Sequence, residues 1–394
     1  MKEKDVLIIA RPDHSLQIYS ELLKQENITY DYVTFKCVRP WVKRLFKQSK
    51  KMVAVGNNAY ISYIMTAINI LKFKFRIPIF KNLREVNGLS LLLWFILRRR
   101  YRLLHYWPLY CHKLIENYSN KNRKVIAIAD VYFPNPQFLD KMMEELYAKY
   151  ELNYNDSFFK EILDTDYQVL RHAPAILAPS RYVADTYRTI FPDKKFYILG
   201  YGITISPNYT KRFKSTVSKF VYSGGAISIE KGCDILCDYF VLHPNLEIHL
   251  YGNVLEHQQQ IFQSYNKYSN IHFHGHIPKA TLQEEISKYD VGIHLSRFDA
   301  YSLSVGEMVG VGLPVIVSDK TGIADDVIEH QWGLVTSLNY DDINRTVSQI
   351  TDIEVYKSYV DKIDYYINNN HKTYAQKVME LYAYLLKSID CKTE

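Results

Sequence analysis

Residues 297–318, RFDAYSLSVGEMVGVGLPVIVS, bring two carboxylates, Asp299 and Glu307, into one short stretch with three glycines, Gly306, Gly310 and Gly312. Spacing predicts a helix from about Ser302, with Ser302 as N-cap, Gly312 as C-cap and Pro314 opening the next strand. A glycine inside a helix costs about 1 kcal/mol relative to alanine. Gly306 and Gly310, four apart, share one face and permit another backbone or a ligand to come close. Tight helix–sheet packing would explain the glycines but not the acid beside them. Glu307 reads equally well as a solvated helix residue.

A second cluster is YSGGAISIEKGCDIL, residues 222–236. A strand ends in Gly224-Gly225, and Lys231-Gly232 then opens a helix. The amides and dipole of a helix start favour an anion. Lys231 opposes that dipole unless an anion pairs with it, which suggests a diphosphate; the plainer alternative is an exposed surface lysine. In the first half, Asp130 ends the strand of AIADVYFPNPQ, and His14 stands at the mouth of strand one. A lone Asp or His is more often structural, so both remain alternatives for an acid–base role.

The elements around these residues alternate. DVLIIA (5–10), ITYDYVTF, KMVAVG (51–56), KVIAIAD (124–130), AILAPS (175–180) and KFYILGYG (195–202) read as strands, with helices between them, one at about 58–71. The pattern restarts with KFVYSGG (219–225), LEIHLYGN (246–253), IHFHGHI (271–277), VGIHLS (291–296), LPVIVS (313–318) and GLVTS (333–337). Short apolar runs alternating with helical segments indicate α/β architecture with doubly wound parallel sheets. The 394 residues suit two such domains. We expect an N-terminal domain over 1–205, with a basic helical insertion at about 81–120, and a C-terminal domain over 206–372. The polar stretch 203–219 links them, and a last helix, 373–394, packs back toward the first domain.

Charge is uneven. Residues 36–124 hold 20 Lys and Arg against two acids, Glu85 and Glu116, a balance of +18 within a chain of +7. Such a segment suits a polyanion, a phosphate-bearing acceptor or an anionic membrane surface; no nucleic-acid recognition motif accompanies it. The five cysteines are too scattered for a zinc site or a disulfide framework, which favours free thiols in a reducing cytoplasm. The opening residues do not read as a signal peptide, and LSLLLWFIL is too short to span a bilayer.

Taken together, the motifs resemble the retaining glycosyltransferases of family four, which have the GT-B fold. The resemblance runs from about 170 to 340. It is carried by Asp299, seven residues, Glu307 and GLPVIVSD; by GAISIEKG, HGHIPKATLQEEISKYDVGIHLS and TGIADDVIEHQWGLV; and, before the linker, by HAPAILAPSRYVADTYR and YGI. It implies that Glu307 holds the ribose hydroxyls of a nucleotide-sugar, with Gly306 keeping its surroundings open. The amides of Tyr301, Ser302 and Leu303 would hold the diphosphate. Lys231 would neutralise it from the other side, near Gly225. The backbone around Ile277 would meet the base, and Asp299 the sugar hydroxyls. Departures are Ala226 where many members have Arg, Asp299 where Glu is usual, and ARPDHSLQ in place of a Gly-rich loop; Arg297 or basic residues of the first domain would then supply the missing phosphate cation.

The implied activity is transfer of a sugar, with retention, from a UDP- or GDP-sugar to a saccharide acceptor. No metal or other cofactor is expected, because Lys231 and the helix start do what a metal does elsewhere. The basic aromatic run WFILRRRYRLLHYW suggests a lipid-linked acceptor at the inner face of the plasma membrane. That would place the protein in the cytoplasm, in capsule, lipopolysaccharide or exopolysaccharide synthesis. A solvated face over a buried helix explains the same arginines. Alternatives are a sugar-nucleotide epimerase or phosphorylase of the same fold, or a non-catalytic membrane-surface protein.

Overall fold

The computed structural model describes residues 3–10, 15–25, 27–34, 37–38, 53–54, 59–61, 92–107, 112–122, 124–154 and 170–391. The first domain has strands β1 (Lys4–Ile9), β2 (Tyr30–Thr34), β3 (Cys37–Val38), β4 (Val53–Ala54), β5 (Ala59–Ile61), β6 (Tyr101–Tyr106), β7 (Ile126–Asp130), β8 (Ala175–Ala178) and β9 (Lys195–Ile198). Seven of these form a parallel sheet in the order β5-β2-β1-β6-β7-β8-β9; β3 and β4 pair separately. Helices α1 (Ser15–Leu22), α2 (His112–Lys121), α3 (Pro136–Lys149) and α4 (Arg181–Arg188) connect them.

The second domain has β10 (Lys219–Ile227), β11 (Glu247–Val254), β12 (Ile271–Gly275), β13 (Val291–His294), β14 (Val315–Ser318) and β15 (Gly333–Thr336). They form a parallel sheet in the order β12-β11-β10-β13-β14-β15. Its helices are α5 (Cys233–Val241), α6 (Gln259–Gln263), α7 (Lys279–Ile286), α8 (Leu303–Gly310), α9 (Ala324–Glu329), α10 (Tyr340–Thr351) and α11 (Ile353–Tyr365). The inner strands, such as β1, β7, β8, β13 and β14, are buried on two faces, which is why they read as apolar runs rather than alternating ones. Cys233, Cys237 and Cys391 are free thiols, and burial pushes Cys233 up to about 12.

Two sequence expectations need correction. The segment 81–120 is not wholly helical: residues 92–96 are a short helix, but Tyr101–Tyr106 is β6, lying between β1 and β7 in the middle of the sheet. Helical and strand spacing cannot be told apart in so short a run, and the arginines obscured it. Arg99 reaches Asp31 at 3.2 Å and Tyr60 at 2.8 Å, while Arg102 reaches Asp5 at 3.0 Å and also Asp390. Likewise Ala59–Ile61 is strand where a helix was expected to have begun.

The last helix, α12 (Tyr374–Asp390), leaves the second domain and packs on α1 and β6. Its Tyr382, Leu385 and Ile389 join Val6, Ile8, Ile18 and Leu22 in one buried cluster. In the other direction, Met143, Leu146 and Tyr147 of α3 enter the core of the second domain.

Candidate active site

Open α/β sheets bind ligands at the carboxyl ends of strands, where strand order reverses. In the second sheet that point lies between β10 and β13. A cavity of about 310 Å³ opens there, lined among others by Gly225, Lys231, His294, Asp299, Ser302 and Leu303. Lys231 follows β10, His294 ends β13, and Asp299 to Leu303 lead into α8. Tyr201, between β9 and the linker, also lines the cavity.

Asp299 organises this cavity. One carboxylate oxygen pairs with Lys231 Nζ at 2.7 Å and lies 3.4 Å from His294 Nε2. The other accepts from the amides of Ser302, at 2.8 Å, and Tyr301, at 3.2 Å. Burial alone would raise the Asp299 carboxyl, but Lys231 and His294 outweigh it and hold the group well below the usual carboxylate range. This changes two expectations. Ser302 stands at the N-cap position with φ 68°, yet its side chain makes no capping bond; Asp299 does the capping. Two of the three amides assigned to a diphosphate already face a carboxylate. The amides of Leu303 and Ser304, in the first turn, have no intrahelical acceptor.

Glu307 does not line the cavity. It lies one turn along α8 from Leu303 and Ser304 and pairs with Lys279 at 2.5 Å. Lys279 opens α7, two residues after Ile277, so the ion pair joins α8 to the start of α7. Arg297 is not a phosphate cation: it makes a bidentate pair with buried Asp234, with both contacts at 2.7 Å. Nor does Asp130 line the cavity. It is buried in the first domain, 3.4 Å from His105 Nε2, and its charge reaches Tyr201 and Tyr374. The His105 ring beside it hydrogen-bonds Tyr382 at 2.6 Å through Nδ1. His14 lies outside the described residues, as does Asp164-Thr165-Asp166, an Asp-x-Asp triplet that the expectation of metal independence overlooked.

Of the two neighbours expected for the glycines of α8, a backbone or a ligand, the structure shows a backbone. A Cβ on Gly310 would lie 1.9 Å from the carbonyl oxygen of Thr204, and one on Gly306 would lie 3.0 Å from that of Gly202. The linker runs along this face, Ser206 donating to the Gly310 carbonyl at 2.9 Å and Thr204 to that of Gly306 at 3.4 Å. Gly312, at φ 93°, ends the helix in a Schellman arrangement: its amide bonds Val309 O and that of Leu313 bonds Met308 O.

Residues 208–373 match the family described as Glycosyl transferases group 1. The C-terminal domain belongs to that family. No curated protein sequence matches the chain. Among solved structures it is similar over its whole length to sucrose-phosphate synthase from Thermosynechococcus elongatus, with TM-score 0.60, 14% identity, and 98% of this chain and 100% of that one covered. The lipopolysaccharide outer core galactosyltransferase WaaB, in its apo form, gives TM-score 0.61, 12% identity and coverage of 97% and 99%. Anabaena HepE, solved with UDP and glucose, gives 0.56, 13% identity and coverage of 96% and 99%. These likenesses establish the two-domain GT-B fold for the chain as a whole.

Within the glycosyltransferase domain, sequence reasoning passed over His294. It is fully buried, stacks on Tyr222 (5.4 Å between centroids, 9° between planes), and its Nδ1 has no hydrogen-bond partner. Burial lowers its pKa despite Asp299 beside it. The available signal was a histidine at the carboxyl end of a strand otherwise made of apolar residues and glycine.

Proposed function

We propose that the protein is a retaining glycosyltransferase that moves a sugar from a UDP- or GDP-sugar to a saccharide acceptor. The observation that carries this reading is the convergence of Lys231, Asp299 and the first turn of α8 on one cavity at the strand-order reversal. An anion already has its place there: the Asp299 carboxylate accepts from two amides and one ammonium. A donor diphosphate would take the same partners, releasing Asp299 toward the sugar hydroxyls. Glu307 would receive the ribose diol, and the Ile277 backbone the base.

The bond between the anomeric carbon and the β-phosphate oxygen breaks, and one to the acceptor oxygen forms on the same face. The acceptor proton passes to the departing phosphate. Negative charge grows on that phosphate in the transition state, where Lys231 and the helix amides stabilise it more than in the ground state. These groups supply the stabilisation that a catalytic metal would give, so transfer persists in chelator.

The same reading extends to a lipid-linked acceptor of cell-surface polysaccharide synthesis, met at the cytoplasmic face of the membrane. Trp94 and Phe95 are more than half exposed, and the Arg98 guanidinium lies 4.0 Å from the Trp94 ring centroid. Aromatic and cationic groups together suit an anionic headgroup region. Arg99, tied to Asp31, has no part in it. No helix among the described residues is long and apolar enough to cross a membrane.

The deciding experiment screens UDP-, GDP- and ADP-sugars for thermal stabilisation, then follows nucleoside diphosphate release with and without a saccharide acceptor. Release that requires acceptor supports transfer; release with inorganic phosphate alone, or none, favours a phosphorylase or epimerase. A Glu307→Ala variant with unchanged donor affinity and turnover would overturn the site assignment.

A further inference from the structure

Away from the cleft, two neighbouring strands carry matched metal-ligating residues. β11 has Glu247 and His249; β12 has His272 and His274. The strands are parallel, with His249 directly opposite His272. Alternate residues of a strand share a face, so all four side chains stand on one side of the sheet. β12 is the edge strand, and His274 is exposed, which leaves a way in from solvent.

We propose that Glu247, His249 and His272 bind a divalent transition-metal ion of the Zn²⁺ class, with His274 as the outer partner of His249. One ligand atom from each of the three lies within 4.8 Å of the others. His249 Nε2 is 3.3 Å from Glu247 Oε2, and its ring stacks on His272 at 4.3 Å between centroids. A tetrahedral ion with bonds of about 2.0–2.1 Å needs small rotamer shifts from these positions. Two imidazoles and one carboxylate are a donor set that suits Zn²⁺ and its neighbours and leaves a coordination position open. The opposite nitrogen, Nδ1 of His249, faces His274 Nε2 at 2.9 Å. That is the outer contact by which metal-ligating histidines are oriented. The ion would displace one local cation, Lys219, now 3.5 Å from Glu247.

A second group, Asp326, Glu329 and His330, has similar proximity, but Asp326 already accepts from Tyr301, and His330 stacks on Tyr366. It therefore serves as the control. A metal at β11 and β12 would tie the edge strand to the sheet just before Gly275 (φ 70°) and the loop to Ile277. The proposal stands on this geometry and not on the donor reading.

The test uses the full-length protein stripped with chelator and titrated with Co²⁺, read by its visible ligand-field absorption. One saturable equivalent, displaced by Zn²⁺, is expected. His249→Gln and His272→Gln should each weaken it at least tenfold, while His330→Gln titrates like the parent. Absence of a saturable band, or parental titration by both cluster variants, would overturn the site. Should a variant lose the parental circular dichroism in chelator, diethyl pyrocarbonate labelling of the unaltered chain decides instead. Zn²⁺ must protect His249 and His272 but not His330, and equal labelling with and without Zn²⁺ counts against the proposal.

Discussion

Asp299 ties together three things that a nucleotide donor would need to separate: the Lys231 ammonium, the start of α8, and His294. Removing its charge should release Lys231 for a phosphate. Asp299→Asn is therefore expected to bind nucleoside diphosphate several-fold more tightly while losing at least tenfold in kcat, read by calorimetry beside steady-state turnover. Glu307 is tested separately. Its Lys279 partner is two-thirds exposed, so that pair is worth little; Glu307→Gln should raise donor KM at least tenfold with little change in melting temperature, and Lys279→Ala should do neither. His294 gives a pH signature. Its folded pKa lies below the ordinary 6.5, so the unfolded chain takes the proton first. Stability is full above pH 6.5 and declines as pH falls below it. Denaturant midpoints at pH 7.5 and 5.5 should differ less in His294→Gln than in the parent. Lys231 and Asp299 were legible as residues because a lysine at a helix start and an acid with seven residues between it and Glu307 leave sequence marks. That they pair with each other was not legible, since 68 positions separate them and only the strand order brings them together.

The glycines of α8 show what a single element can and cannot disclose. Their four-residue spacing announced a close approach; what approaches is a polar linker with no periodicity to announce itself. Gly310→Ala gains about 1 kcal/mol of helix propensity, but its methyl would overlap the Thr204 carbonyl, and overpacking typically costs 1–3 kcal/mol. A net loss of stability is expected, with a smaller effect for Gly306→Ala, where the nearest atom is 3.0 Å away; thermal melts of the two variants check the order. β6 makes the converse point. Its residues are apolar enough for a central strand, but the arginines before and within it suggested a surface, because Asp31, Asp5 and Asp390, which neutralise two of them, are distant in sequence.

Across the whole molecule, the domains meet through more than the linker. Tyr147 on α3 donates to buried Glu230 in the second domain at 2.5 Å, and Gln258 donates to the same carboxylate at 3.1 Å. Tyr147→Phe removes a hydrogen bond to a charged group, worth about 1.5–3 kcal/mol; the expected result is a lower melting temperature and looser domain closure, seen as faster amide exchange around residue 230. The two-domain architecture was readable from the restarting pattern of strands, since parallel strands buried on both faces write themselves as apolar runs. The contacts between domains were not, because they depend on single tyrosines among 34. The returning helix α12 has one more implication, for the newborn chain. The apolar face of α1 and β1 finds its cover in residues 374–389. At about 5–20 residues per second of synthesis, the half made first must wait roughly 10–40 s for that cover. The domain that leaves the ribosome first is thus the one that finishes folding last, exposed meanwhile to the chaperones and proteases that patrol unfinished polypeptides.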